Sequence, residues 1–245
     1  MSEVVFIGTS DAFGSGGRRQ SAVLVRTGSG AFLLDCGMTT GTGLCQLGIE
    51  RNEIDAILVS HFHADHFGGI PPFLLGALYE DQRKHPLHIG GPPGIREWVY
   101  NLAAAMGYGI EDREWPFEIT FDVLPLTGKI EIGPARTAAF ETLHQPHTHP
   151  HGILVDSGSH RIAYSGDTGW FDELPLIVNG SDLFISECTN HSQNFEYHLS
   201  HEVLVERKSL FDCGRIILTH LGSEMAARRG NCDFETADDG LILKL

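Results

Sequence analysis

The chain has 245 residues and a formal net charge of −15 at pH 7, from 17 lysines and arginines against 32 aspartates and glutamates. Its length suits one domain with a sizeable core, and 42% hydrophobic against 20% charged residues excludes a disordered chain. The acidic charge disfavours non-specific binding to nucleic acid or to an anionic membrane, and no apolar run reaches the roughly 18–20 residues of a membrane helix. We therefore expect a single domain over residues 1–245 that does not enter a membrane.

The start of the chain and its cysteines predict a cytoplasmic location. Residues 1–8 lack the basic segment that opens a secretory signal, and their pattern is that of a strand. The five cysteines are odd in number, widely spaced and without a CxxC pair. Neither a disulfide framework nor a cysteine-based zinc site is therefore expected.

Short apolar runs between glycine- and serine-rich turns predict strands in the first part of the chain, at 4–7, 22–25, 32–34 and 54–59. Helical patterns follow at 69–83 and 93–106. A second strand-rich stretch covers 119–124, 130–132, 136–143, 153–156 and 162–165. The last part alternates helices with strands, at 171–178, 183–186, 200–211, 215–218 and 241–245. Two strand-rich halves with attached helices predict an α/β fold of four layers, in which two mixed sheets pack face to face with helices outside.

The densest chemical pattern is His61-Phe62-His63-Ala64-Asp65-His66, which directly follows an apolar strand. Imidazole and carboxylate groups suit Zn²⁺, Mn²⁺ or Fe²⁺, and four of them in six residues are too many for one ion. In an extended backbone His61 and His63 point the same way and can share one ion. Asp65 and His66 lie past a turn and can face another, so the motif predicts a pair of divalent ions.

Further ligands are expected where other strands stop, because a sheet presents side chains at its edge. One strand ends at His144, another leads into Ser165-Gly166-Asp167-Thr168, and a third ends at Thr219-His220.

Taken together, these motifs resemble those of the metallo-β-lactamase superfamily. Residues 6–21, Phe-Ile-Gly-Thr-Ser-Asp-Ala-Phe-Gly-Ser-Gly-Gly-Arg-Arg-Gln-Ser, resemble its ribonuclease Z-like and phosphodiesterase branch. The resemblance spans nearly the whole chain and implies the αββα fold, with metal ions at the sheet edge.

The resemblance also implies a ligand set for two divalent ions, which we expect to be zinc, with manganese or iron as alternatives. One ion would be held by His61, His63 and His144, the other by Asp65, His66 and His220, with Asp167 bridging. The segment 144–151 offers four histidines for the third ligand of the first ion. His144 is favoured because it closes the predicted strand, and His147 is the alternative.

A metal-dependent hydrolase, and specifically a phosphodiesterase, is the activity that the resemblance implies. Two bridged ions lower the pKa of a shared water and stabilise charge on the attacking and leaving oxygens. Asp65 would orient the resulting hydroxide, and His198 would give a proton to the leaving group. The alternative for His198 and His201 is a polar helix start with Ser200 as the N-cap.

The substrate is expected to be a small phosphodiester, such as a cyclic or short nucleotide, rather than tRNA. Ribonuclease Z proper carries a long arm that grips tRNA, commonly between the lone histidine and the bridging aspartate. Here the interval 144–167 is short, no basic insertion appears elsewhere, and the chain is acidic. Relatives often dimerise, so a homodimer is compatible with the resemblance.

Other activities and contacts stay open at this point. A thioesterase, lactonase or β-lactamase-like enzyme would use the same ligands on the same fold, and a single-iron dioxygenase keeps the same histidine cluster. Arg18 and Arg19, which follow the glycine-rich run 14–17, are candidate substrate contacts. Asp35 follows a strand near the predicted site and is a candidate partner that orients a ligand histidine.

Overall fold

Fourteen strands, arranged in two sheets, are present in a computed structural model that describes residues 2–192 and 195–245. Those of the first half are β1 (Glu3–Gly8), β2 (Ala22–Thr27), β3 (Gly30–Leu34), β4 (Ile54–Leu58), β5 (Leu87–Gly91), β6 (Ile119–Val123) and β7 (Ile130–Ile132). Those of the second half are β8 (Ala135–Glu141), β9 (His151–Asp156), β10 (Arg161–Tyr164), β11 (Leu183–Glu187), β12 (Ile216–Thr219), β13 (Glu235–Thr236) and β14 (Ile242–Lys244).

Each sheet combines antiparallel and parallel pairs. The first has the order β14-β1-β2-β3-β4-β5-β6, antiparallel up to β3 and parallel from β3 to β6. The second has the order β13-β12-β11-β10-β9-β8-β7, parallel from β13 to β10 and antiparallel beyond. These are the two mixed sheets that the sequence predicts.

The alternation of side chains along the strands explains why the sheets stack. In β1, Val4 and Phe6 pack into a buried cluster that also contains Ile153 and Ile185 of the second sheet. The intervening Val5 and Ile7 pack instead on the opposite face, in a second cluster. Because both faces of this strand are apolar, the sheet is covered on both sides, which gives the predicted four layers.

Seven α-helices are found in the described residues: α1 (Thr40–Leu47), α2 (Ala64–Phe67), α3 (Ile70–Tyr79), α4 (Ile95–Ala105), α5 (Leu174–Val178), α6 (His201–Glu206) and α7 (Ser223–Arg228). Buried residues of α1, α3 and α4 join the outer cluster of the first sheet. Those of α5, α6 and α7 join a third cluster against the second sheet. Within the described residues, no helix is both long and apolar enough to cross a membrane.

The structure differs from the sequence prediction in several elements, and the short elements α2, α7 and β13 have no counterpart in the prediction. The helix α1 was not predicted because its sequence, Thr-Gly-Thr-Gly-Leu-Cys-Gln-Leu, is poor in helix formers. The strand β5 was also missed, since Leu-His-Ile-Gly-Gly has weak strand propensity. The helix predicted at 200–211 is divided into α6 and a 3₁₀ turn at Lys208–Leu210. The strand β6, grouped above with the later strands, pairs with β5 in the first sheet.

Candidate active site and metal centre

Polar side chains gather where strands of the two sheets end. Because β3 and β4 are parallel, as are β10, β11 and β12, the carboxyl ends of neighbouring strands lie at a common edge. The residues found there are Asp35 after β3, His61 after β4, His144 after β8, Asp167 after β10, Glu187 at the end of β11 and His220 after β12. Asp35 and His220 have φ values of +60° and +53°, a conformation that L-residues rarely adopt and that is common at functional sites.

The seven side chains predicted as metal ligands come together in two groups of four. In each group, one ligand atom from every residue lies within 4.8 Å of the others. The groups are His61, His63, His144 and Asp167, and Asp65, His66, Asp167 and His220. Asp167 belongs to both groups, which is the arrangement expected of a bridging carboxylate.

Spacing within the first group fits a metal ion better than a set of hydrogen bonds. His63 Nδ1 lies 3.1 Å from His61 Nε2 and 3.1 Å from His144 Nε2. One ring hydrogen on His63 can serve only one of these two nitrogens. Two ligands of a tetrahedral zinc ion, with bonds of about 2.05 Å, are about 3.3 Å apart, close to the observed separations.

In the second group, two buried ligand atoms lack hydrogen-bond partners. Within residues 2–192 and 195–245, neither His66 Nε2 nor Asp167 Oδ1 is hydrogen-bonded, although the two atoms lie only 3.3 Å apart. Asp65 Oδ2 lies 3.3 Å from the same His66 nitrogen and 3.2 Å from His220 Nε2. Unsatisfied buried polar atoms are costly, and a shared cation would satisfy them.

Hydrogen bonds on the far side of each ring fix the tautomer of the ligand histidines. The Ser60 hydroxyl donates to the Asp35 carboxylate at 2.8 Å, so its oxygen accepts from His61 Nδ1 at 3.0 Å. The Thr189 hydroxyl donates to Glu187 at 2.8 Å and accepts from His220 Nδ1 at 2.9 Å. Each ring therefore carries its hydrogen on Nδ1 and turns the Nε2 lone pair toward the other ligands.

The other two histidines that direct Nε2 toward the ligand groups, His144 and His66, follow the same pattern. His144 Nδ1 donates to the Tyr197 carbonyl at 2.8 Å, and His66 Nδ1 lies 2.6 Å from the Asp35 carboxylate. Burial shifts the pKa of His61 and His144 downward, so these rings are neutral, the form that binds metal. Burial also opposes ionisation of Asp167, but His220 and His66 keep the pKa of this carboxyl well below its ordinary value. For His66 and His220 burial opposes the charged ring, but the Asp167 and Asp65 carboxylates raise the pKa of both. The first group thus offers neutral imidazoles, and in the second group a bound cation would replace the protons that these carboxylates attract.

His198 lies beside the second group and is held by an acid that the sequence analysis missed. Its Nδ1 is 2.8 Å from Oε1 of Glu187, which is 1% exposed and also accepts the Thr168 backbone N–H. Burial opposes the charged ring, but the Glu187 carboxylate raises the pKa of His198 to about 9. Glu187 could have been found by the signal that identified His144 and His220, since it too is a polar residue at the end of an apolar strand.

A cavity of about 290 Å³ opens onto these groups. The described residues that line it are Asp11, Ala12, Phe13, His63, Ala64, Asp65, Gln145, Asp167, Thr189, His198 and His220. Larger surface cavities exist, but they contain none of the metal-ligand candidates. The cavity therefore gives a small substrate access to both ligand groups and to His198.

Several other sequence candidates lie outside this cavity. Arg18 pairs with Asp238 at 2.7 Å, and Arg19 donates to the Ile7 carbonyl at 2.6 Å, so both guanidinium groups hold the N-terminal loop rather than face the site. Ser200 is the N-cap of α6, as the alternative interpretation proposed, and accepts from Val203 N–H. His201 contacts Asp233 and does not line the cavity.

The histidines that follow β8 are separated by the fold. His144 is 2% exposed and lies in the first ligand group. His147 is in a 3₁₀ turn at Pro146–Thr148, with its ring centroid 6.4 Å from that of His63, and belongs to neither ligand group. This placement favours His144 as the lone histidine, as the strand-end argument predicted.

Comparison with known proteins identifies the relatives of the chain. A family model described as "Anti-Pycsar protein Apyc1" matches residues 2–236. The anti-Pycsar protein Apyc1 of Paenibacillus harenae is 32% identical over 187 residues, covering 74% of this chain and 75% of that protein. Ribonuclease Z of Methanothermobacter thermautotrophicus is 35% identical over an alignment of 276 residues, covering 91% and 87%.

The fold of the chain agrees with these relatives. The crystal structure of the metallo-β-lactamase fold protein YhfI from Bacillus subtilis superposes with a TM-score of 0.78 at 20% identity, over 100% of both chains. The predicted αββα fold is therefore confirmed as the metallo-β-lactamase fold. The expected class of enzyme is confirmed as well, a metal-dependent hydrolase of phosphodiesters. Since the family model covers nearly the entire sequence, the chain belongs to the family of the anti-Pycsar protein Apyc1.

Proposed function

We propose that this chain hydrolyses a cyclic nucleotide with the help of two divalent ions, zinc by preference. The observation that carries the proposal is the position of Asp167, which belongs to both four-residue ligand groups. His61, His63 and His144 would hold one ion, and Asp65, His66 and His220 the other. When bound, such a pair supplies an activated water and stabilises charge on the phosphoryl oxygens.

The residues around the ions have separate roles in this proposal. Asp65 Oδ2 lies between His66 and His220, where its carboxylate can also accept a hydrogen bond from the attacking water and orient it. His198 faces the same cavity with a proton on its ring, because its pKa is about 9. Nearby cations would lower that pKa toward neutrality, which improves the ring as a donor to a leaving oxygen.

Glu187 is proposed as the residue that positions His198. Its carboxylate is fixed by the N–H groups of Thr168 and Thr189 at 2.9 and 3.1 Å, so it cannot swing away from the imidazole. With Nδ1 of His198 held by Glu187, the ring is oriented and its Nε2 is left to act on the substrate. This is the usual arrangement of a general acid supported by a buried carboxylate.

The shape of the chain supports a small substrate. The interval in which ribonuclease Z carries a tRNA-binding arm is here a tight hairpin, with β9 and β10 joined by residues 157–160 alone. A cavity of about 290 Å³ and a net charge of −15 also suit a mononucleotide better than tRNA.

We further propose that residues 1–245 form a single domain and that the protein acts in the cytoplasm. A homodimer is compatible with the family resemblance.

The test combines metal analysis with a substrate panel. We expect about two zinc, manganese or iron ions per chain and hydrolysis of 3′,5′-cyclic AMP, with slow or no cleavage of a tRNA precursor, a thioester or a lactone. Asp167→Asn should lose metal and activity, whereas Asp172→Asn, at an acid outside both ligand groups, should keep them. A single bound iron with no phosphodiester cleavage would contradict the proposal, and preferential cleavage of a thioester or lactone would reassign the activity.

A further inference from the structure

Phe13 is the most exposed large apolar side chain in the described part of the molecule. Its side chain is 91% exposed, compared with 78% for Leu176 and 64% for Tyr79. Scattered exposed apolar residues are normal on a surface, so exposure alone assigns no role. Two further observations distinguish Phe13: the loop that carries it is rigid, and that loop borders the cavity at the metal-ligand groups.

The rigidity of the loop comes from Asp11, which is only 5% exposed. Its Oδ1 accepts the backbone N–H groups of Phe13 and Ser15, each at 3.1 Å, and the Ser10 hydroxyl at 3.0 Å. Its Oδ2 accepts the Ser15 hydroxyl at 2.8 Å, and that hydroxyl lies 3.0 Å from Ser223 of α7. Because the backbone is fixed in this way, binding of a ligand to the ring costs little backbone entropy.

The position of Phe13 relates it to the chemistry. It lines the same cavity of about 290 Å³ as Asp65, Asp167, His198 and His220. Apart from two alanines, it is the one apolar side chain among the described residues that line this cavity. The remaining lining groups are polar or ionisable and suit the phosphate and the sugar, so Phe13 supplies the aromatic surface within this cavity for the base.

We propose that Phe13 is the surface on which the base of the nucleotide stacks while its phosphodiester lies at the two ligand groups. The inference rests on the proposed cyclic-nucleotide hydrolysis and adds a substrate-positioning residue to it. Bases stack on aromatic rings whatever their hydrogen-bond pattern, so Phe13 would favour nucleotides over other phosphodiesters without selecting one base strictly. Purines, with the larger ring surface, would gain more than pyrimidines.

Kinetics of Phe13→Ala on three substrates test the proposal. With 3′,5′-cyclic AMP, KM should rise roughly ten-fold or more while kcat changes little, because stacking is lost equally from the bound substrate and the transition state. With 3′,5′-cyclic CMP the rise in KM should be smaller. With methyl ribofuranoside 3′,5′-cyclic phosphate, which has the cyclic diester but no base, wild type and variant should behave alike.

Matched variants separate stacking from general effects. Phe13→Trp should restore the KM for cyclic AMP and Phe13→Leu should not, because leucine is apolar but has no aromatic face. Leu176→Ala, which removes an exposed apolar side chain on α5, should match the wild type.

Two results would overturn the inference while leaving the proposed function intact: an unchanged KM for cyclic AMP in Phe13→Ala, or an equal rise with the baseless substrate. A change in molar mass of Phe13→Ala by light scattering would assign the side chain to a contact with a second copy instead. If the wild type cleaves none of the three substrates, it is the proposed function that fails.

Discussion

The Asp35 carboxylate lies 2.6 Å from Nδ1 of His66, and both side chains are completely buried. The same carboxylate accepts the Tyr164 hydroxyl at 2.6 Å and both the N–H and the hydroxyl of Ser60 at 2.7 and 2.8 Å. Since an ionised carboxylate can only accept hydrogen bonds, His66 carries its hydrogen on Nδ1 and directs Nε2 to Asp65 and Asp167. Asp35 therefore orients a candidate metal ligand, and its own carboxylate belongs to neither ligand group.

Replacing Asp35 with Asn should weaken metal binding by about 10- to 100-fold, the usual effect of losing such a supporting group. Asparagine tolerates the positive φ of this position, so the backbone should be preserved. Competition with a zinc chelator measures the affinity, and circular dichroism checks the fold. Tyr164→Phe, which removes one of the four donors to the same carboxylate, serves as the milder comparison. Equal metal affinity in Asp35→Asn and wild type would rule out the orienting role.

The choice between His144 and His147 can be tested by metal content. His144→Ala should lose the ion of the first ligand group, since its Nε2 lies 3.1 Å from His63 Nδ1. His147→Ala should keep that ion, because its ring belongs to neither ligand group. Metal analysis of both purified variants decides the matter. Loss of metal from His147→Ala alone would transfer the assignment to that residue.

Substituting His198 should separate proton transfer from metal binding. We expect His198→Ala to lower kcat by about 100-fold or more while the metal content stays at the wild-type level. The matched control is His201→Ala, because His201 is close in sequence but does not line the cavity. Stopped assays with cyclic AMP give kcat, and metal analysis of the same samples gives occupancy. If His198→Ala were to lose a metal ion, His198 would be a ligand rather than the proton donor.

Gly169 tests how the loop 195–198 supports the site. A Cβ at this position would lie 1.8 Å from the Glu196 carbonyl oxygen, a contact that the backbone cannot accept unmoved. The same loop supplies the Tyr197 carbonyl to His144 and carries His198. Gly169→Ala should therefore lower both metal affinity and kcat. Gly28→Ala, where a Cβ meets nothing within 4 Å, should be neutral in both measurements. Wild-type behaviour of Gly169→Ala would show that the loop position is unimportant.

The pH dependence of stability should include a contribution from His151. This ring is 8% exposed, its Nδ1 has no partner in the described residues, and burial holds its pKa below the ordinary value of 6.5. The unfolded chain thus takes up a proton before the folded one, so stability is lost as the pH falls below 6.5 and no such loss occurs above it.

The measurement is the Tm between pH 7.5 and 5.5, with excess metal present. We expect the Tm of His151→Gln to fall less over this interval than that of the wild type, because glutamine does not titrate. The remaining decrease in the variant belongs to the other titrating groups. Parallel curves for the two proteins would mean that His151 is protonated equally in the folded and unfolded states.

The cluster of candidate ligands at residues 61–66 and the four-layer fold could be predicted from the sequence, because both depend on local patterns. Alternating apolar residues in β1 cover both faces of that strand, and this requires layers on both sides. The histidines and aspartate at 61–66 are adjacent in the chain, so any conformation keeps them near one another. The elements missed, such as α1 with its two glycines and β5 with its Gly-Gly end, have low intrinsic propensity and form because buried neighbours pack against them.

By itself, then, the sequence determined the superfamily, and it predicted the ligand types and a substrate smaller than tRNA. Only the tertiary structure decided contacts between residues far apart in the chain. It placed His144, alone among four nearby histidines, in a candidate ligand group, turned Arg18 away from the site, paired Glu187 with His198 and brought Phe13 to the cavity. The physical reason is that these choices depend on where strand ends and loops meet after the sheets pack, which no local pattern encodes.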